Sequence, residues 1–396
     1  MFLHVTKKGA RPRANVLAWF NETGRGKAES VLSELPGYEP TPLFNLPELA
    51  RSFGIQELHV KDEGQRFGLG SFKALGGAYA VVATVLDRAS SSLGRDLRPA
   101  EFNSAEVRDV ASTLTFACAT DGNHGRSVAW GANLTGARCE IFVHSGVSDA
   151  RVAAMSAFGA HINHVPGQYD DAVGAAAHLA RKNGWQVLAD TSTDGEETIP
   201  LTVMQGYTVM VGEALDALEQ PPTHLILQAG VGGMAAAVAA YISQRFIAAE
   251  MPKVVVAEPE RAACLFASAA VGRLTSVDIT SPTVMAMLEC ATPSPVAWEI
   301  LDHFADGYVT VEEHAAPDAM RLFAQPKGSD PKLVSGESGA AGLAGLLGCL
   351  ADPAARRCLK LGADSRVLLI NSEHATDQEL YWQLVAGTAA DLPGSV

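Results

Sequence analysis

The chain has 396 residues, 47% apolar and 19% charged, enough to bury more than one hydrophobic core, so about two domains are expected. A formal net charge of −14 without any concentrated basic stripe excludes nucleic acid as a partner, because such a surface repels a polyanion. No window reaches the roughly 18 uninterrupted apolar residues needed to span a bilayer, and residues 1–20 lack a signal peptide's apolar run and small-residue cleavage site, so a soluble, cytoplasmic protein with no membrane contact is expected.

In chain order, the spacing first predicts a helix over Ala74–Asp87 and a loop over 89–110. Strands are then expected at Leu114–Ala119, Cys139–His144, His161–Val165 and Gln186–Ala189, separated by helices over 126–135, 148–158 and 170–182. Tyr169, Asp170 and Asp171 read as the start of the last of these helices, a structural role. After a loop over 191–200 come a helix over 202–218, a strand His224–Gln228, a helix over 233–249 and a strand Val254–Ala257. The stretches 278–298 and 325–336 read as loops, and Val367–Ile370 as the last strand. Alternating strands and helices imply parallel pairing with crossover helices, an α/β architecture. Strands that are apolar throughout fit sheets covered on both faces. The loops 89–110 and 191–200 bracket a small domain, residues 83–199, inserted into a large domain formed by 1–82 and 200–396. The six cysteines show no C-x-x-C and no zinc spacing, so no metal is expected. Most read as small buried hydrophobes, and Cys264 and Cys290 are the pair to test first for a disulfide.

Three motifs carry chemistry. Residues 61–77 read KDEGQRFGLGSFKALGG, placing Lys73 between a glycine-flanked turn and a helix start, with Phe72 as an apolar wall beside it. A lysine that attacks an aldehyde must be neutral, which favours such a desolvated site, although a lysine at a helix start is usually a solvated surface residue. Residues 120–125, TDGNHG, follow a strand and open a helix, so the N–H groups there can grip an anion such as an amino-acid carboxylate. Asp121 can equally serve as a simple N-cap. Residues 230–234, GVGGM, end a strand and open an alanine-rich helix, which makes a phosphate cradle. The same letters fit a dinucleotide fingerprint, Gly230-x-Gly232-x-x-Ala235, with Glu258 where a ribose-binding carboxylate would stand. The loop alone therefore leaves an NAD-dependent dehydrogenase open beside a pyridoxal 5'-phosphate enzyme. Lys73 and TDGNHG favour the latter, because a dinucleotide site requires neither.

Together the blocks GSFKALGG, ATDGNHGRSVAW, YDDAV, TIPLTVMQGY, QAGVGGM, AEPE and SGESGAAGL resemble fold type II pyridoxal-phosphate enzymes, the tryptophan synthase β-like group. Within that group the chain is most similar to the diaminopropionate ammonia-lyases, over about residues 39 to 345; serine and threonine dehydratases share the general scheme. The resemblance implies two open, twisted, mostly parallel sheets flanked by helices. It implies Lys73 as the Schiff-base lysine, Asn123 as partner of the cofactor's ring oxygen, and Gly230, Val231, Gly232, Gly233 and Met234 as phosphate ligands. A hydroxyl residue on the last strand would meet the pyridine nitrogen, with Ser372 first and Asn371 second. Thr120, Asp121, Gly122 and His124 would surround the substrate, and Asp190 would bind its second amino group.

The implied reaction is β-elimination of ammonia from 2,3-diaminopropionate, giving pyruvate, a step in amino-acid catabolism. Lys73 would take the Cα proton of an L-substrate and Asp121 that of a D-substrate. A serine/threonine-type dehydratase or another β-eliminase is the alternative within the same chemistry. A homodimer is the expected assembly for soluble enzymes of this kind. Two places depart from the family pattern: NSEHATD (371–377), where His374 replaces a glycine, and VMAMLECATPSP (284–295), which lacks glycines after its methionine.

Overall fold

The computed structural model describes residues 1–6, 8–120, 122–192 and 195–387. Its strands are β1 (Phe2–His4), β2 (Leu43–Asn45), β3 (Glu57–Asp62), β4 (Thr115–Ala119), β5 (Arg138–His144), β6 (His161–Val165), β7 (Gln186–Val187), β8 (His224–Gln228), β9 (Lys253–Pro259), β10 (Gly307–Val311) and β11 (Arg366–Asn371). They form two sheets within an α/β fold. The chain divides into two compact units, one of Met1–Glu22, Pro40–Gln65 and Met210–Val396, the other of Thr23–Glu39 and Arg66–Val209.

The first unit holds a seven-stranded sheet in the order β1-β10-β9-β8-β11-β3-β2. Its interior pairs are parallel, and only the short edge strands β1 and β2 run antiparallel. Both faces of the central strands are buried: Ile226, Val255 and Leu369 on one, Leu225, Leu227, Val256 and Leu368 on the other. This is the reason they read as unbroken apolar runs. The helix Ala341–Ala351 lies close on the sheet because its glycines leave room. A Cβ on Gly345 would stand 2.7 Å from the Ala257 Cβ, and one on Gly342 3.1 Å from the Ile226 carbonyl oxygen.

The second unit holds a four-stranded parallel sheet in the order β6-β5-β4-β7. The helix Tyr169–Asn183 turns Ala172, Ala176 and Ala180 onto Ala117 and Phe142, a stripe at helical spacing. Asp171 and Gln168 close a capping box at its start. The helices Gly77–Leu93 and Asn123–Thr135 meet where a Cβ on Gly131 would come within 2.9 Å of the Ala78 Cα.

Several elements differ from expectation. β3 was not foreseen because Glu57, His59 and Lys61 interrupt its apolar pattern. Lys61 is nevertheless buried, its ammonium donating to Glu213 at 2.6 Å and to the Thr41 carbonyl at 2.7 Å, as a buried charge requires. The stretch 89–110 is no simple loop: it contains the end of the helix Gly77–Leu93 and the helix Ala105–Ala111, capped by Ser104. The second compact unit starts at Arg66 and takes in Thr23–Glu39, where 83–199 was expected, because the Lys73 turn and the helix after it pack against Asn123–Thr135. No disulfide joins any of the six cysteines in the structure, Cys264 and Cys290 included. Among the described residues no helix is long and apolar enough to cross a membrane.

Candidate active site

In the second unit Lys73 sits in a single 3-10 turn, Phe72–Leu75. Its ammonium donates to Asp190 Oδ2 at 2.8 Å, and both side chains are 21% exposed. Burial opposes a charge on Asp190, but the Lys73 ammonium holds the carboxyl well below its usual range. Phe72 forms the apolar side of this site, with the Lys73 nitrogen 5.4 Å from its ring centroid.

The turn is held from both sides. Upstream, Phe67 adopts a left-handed backbone (φ 55°), which a bulky residue does at a cost. Its ring packs between Tyr38 and Trp130, with centroids 6.0 and 4.9 Å away. Arg126 donates to the Leu69 carbonyl at 3.1 Å. Downstream, the helix Thr198–Ala217 presses its MQGY segment against the turn. A Cβ on Gly206 would stand 1.7 Å from the Leu75 carbonyl oxygen, so only glycine fits. Gln205 accepts from the Tyr79 hydroxyl at 2.6 Å, and the Tyr207 ring lies 4.7 Å from that of Phe72. Burial pushes the Tyr207 phenol up to about 12 against the pull of the Lys73 charge, so at neutral pH it is an uncharged hydroxyl. This support was not read from the sequence. The signal was the MQGY block, which carries no visible chemistry of its own.

Around TDGNHG, at the start of the helix Asn123–Thr135, the Thr120 hydroxyl accepts from the N–H groups of Gly122 and Gly125, both at 3.1 Å. Gly125 leaves space for it, since a Cβ there would meet the Thr120 Cγ2 at 2.2 Å. Thr120 was expected at the substrate; its hydroxyl accepts these two bonds and keeps its own proton. Asp121 lies outside the described residues. Asn123 opens the helix, with Gly122 before it. His124 is buried, its Nε2 2.8 Å from the Leu188 carbonyl, and its Nδ1 has no partner among the described residues. Burial lowers the His124 pKa despite the nearby Asp190, so the ring is neutral, with Nε2–H donating and Nδ1 as an acceptor.

In the first unit, GVGGM runs from the end of β8 into the helix Gly233–Arg245. The N–H groups of Gly230, Val231, Gly232, Gly233 and Met234 donate to nothing among the described residues. That is the donor set of a phosphate nest at a helix N-terminus. The loop must be glycine at two points. Gly232 has φ +96°, and a Cβ on Gly230 would meet the Cys290 sulfur at 2.8 Å. The residues thus fit the phosphate of a cofactor.

On β11 and just after it, Ser372 and Asn371 part company. Asn371 gives both amide protons away, to Asp62 at 2.7 Å and to the Val334 carbonyl at 2.9 Å, and has none left for a pyridine nitrogen. Ser372 accepts from Gln228 at 3.0 Å and keeps its own proton for such a partner. Glu258, the supposed ribose ligand, is fully buried. Its two oxygens accept from the N–H groups of Leu265 and Phe266 at 2.8 and 2.6 Å. Burial pushes its carboxyl up to about 8. With both oxygens so used it is not a ribose ligand, and the dinucleotide reading loses its acidic partner.

Comparison with known proteins agrees with this chemistry. A family model described as "Pyridoxal-phosphate dependent enzyme" matches residues 34–373. The diaminopropionate ammonia-lyase of Escherichia coli K12 is 36% identical over 372 residues, covering 92% of each chain. The crystal structure of the Escherichia coli enzyme with an aminoacrylate-PLP azomethine reaction intermediate superposes with a TM-score of 0.87 at 33% identity, covering 99% of this chain and 98% of that one. A second structure of that enzyme, in complex with D-serine, gives the same values.

Proposed function

The chain belongs to the pyridoxal-phosphate dependent enzymes, and from that premise we propose that it eliminates ammonia from 2,3-diaminopropionate. With one water, the substrate yields pyruvate and two ammonia molecules. Pyridoxal 5'-phosphate is the cofactor; when bound, it supplies a conjugated ring that draws off the electron pair left at Cα.

The chain's own residues do the rest. Lys73 is the attachment point for the cofactor and the base for the Cα proton of the L-substrate, with Asp121 the base for the D-substrate. The nest at Gly230–Met234 holds the phosphate, Asn123 meets the ring oxygen, and Ser372 donates toward the pyridine nitrogen. Gly122 and His124 border the substrate. Asp190 receives the second amino group as an ammonium, so that it departs as neutral ammonia. The observation that carries this reading is the Lys73–Asp190 pair at 2.8 Å: an ionised carboxylate already seated on a primary ammonium prefers a 3-amino group to a 3-hydroxyl.

Pyruvate release from D- and L-2,3-diaminopropionate, set beside 2-keto acid release from serine and threonine, tests it. Diaminopropionate should be the best substrate; turnover of the hydroxy amino acids with none of diaminopropionate would sink the proposal in favour of a dehydratase. The same reading carries a cytoplasmic location and a homodimer; light scattering on the purified protein checks the dimer.

A further inference from the structure

Glu258 closes β9 in the AEPE motif, and the reaction proposed above makes no use of it. Its carboxyl oxygens accept from the backbone of Leu265 and Phe266 in the first turn of the helix Cys264–Val271. That turn is aimed at the glycine loop. The Cys264 thiol donates to the Gly230 carbonyl at 3.7 Å. The Leu265 side chain sits directly under Gly232, where a Cβ on the glycine would stand 3.0 Å from its Cδ1. On its other side the loop is fixed by the Ser294 N–H, which donates to the Val231 carbonyl at 2.9 Å.

We propose that Glu258 is a positioning residue for the phosphate nest: by pinning residues 264–266 it sets the path of Gly230–Gly232 and so the aim of their N–H groups. The inference rests on the reading that this nest takes the cofactor's phosphate. Phosphate grip depends on several N–H groups converging on one anion, so a small shift of Gly230–Gly232 weakens it, whereas a ligand without phosphate does not sense the change.

The test uses full-length protein freed of cofactor and titrated, by absorbance, with pyridoxal 5'-phosphate and with pyridoxal. Wild type should prefer the phosphorylated form. Glu258→Ala should cut that preference by about tenfold, as expected for losing two buried hydrogen bonds behind the loop, and leave pyridoxal affinity unchanged. Glu258→Gln, which keeps one good acceptor, should fall between the two. If Glu258→Ala does not fold, Leu265→Ala takes its place and should show the same phosphate-selective loss. Folded Glu258→Gln and Leu265→Ala proteins with the wild-type preference would overturn the inference. A wild type that binds the two forms equally would instead overturn the phosphate reading, and this inference with it.

Discussion

Lys73 and Asp190 stand 117 positions apart in the chain and 2.8 Å apart in space. Their pairing is invisible to spacing, because it depends on β4 and the helices around it closing into one unit. Motif letters marked both residues only through resemblance. The ion pair gives Asp190 a physical reason to stay charged, and Asp190→Asn should lower kcat/KM for diaminopropionate by about a hundredfold. The fall for serine should be much smaller, and equal losses on the two substrates would refute the assigned role. Tyr207 was not legible at all, since a tyrosine on an apolar helix reads as core. Its neutral hydroxyl lies within the electrostatic reach of Lys73, and a hydroxyl that orients the amine there would make Tyr207→Phe cost about tenfold in kcat/KM, the scale of one hydrogen bond to a charged group. Unchanged kinetics in a folded Tyr207→Phe protein would show that the hydroxyl is idle.

Elements were readable where their pattern was uniform. β8 and β9 are apolar on both faces and declared themselves, whereas β3 carries Lys61 and Asp62 into the interior and did not. Its polar residues are tolerated because Glu213 and Asn371 meet them, and neither partner can be found by periodicity. Glycines inside helices likewise looked like weak points but mark close approach. Gly345→Ala should lower stability by about 1–3 kcal/mol through overpacking against Ala257, measurable by urea denaturation. Gly206→Ala, aimed at a backbone carbonyl that cannot step aside, should cost at least as much and also lower activity by displacing the Lys73 turn. A Gly206→Ala protein as stable and active as wild type would contradict the packing described.

For the whole molecule, two buried carboxylates pull stability in opposite directions with pH. Asp190 has a lowered pKa in the fold, so its contribution is present above about pH 4, its usual value, and lost as pH falls below it. Glu258 is raised from 4.5 to about 8, so its contribution is present below pH 4.5 and lost as pH rises toward 8. Melting temperature should therefore peak in the mildly acidic range. Glu258→Gln should flatten the alkaline side, and an unaltered slope between pH 6 and 9 would refute that assignment. The division into two units has a further consequence for how the chain can be cut. Two of its boundaries fall inside helices, between Glu22 and Thr23 in Glu22–Leu32 and between Val209 and Met210 in Thr198–Ala217. Both Val209 and Met210 are fully buried. A protease needs an exposed, extended stretch, so limited digestion will not cut between Val209 and Met210. A gene split at residue 209 would leave each fragment ending in half a helix with its apolar side bare. A gene divided elsewhere, outside the helix Thr198–Ala217, avoids that exposed surface.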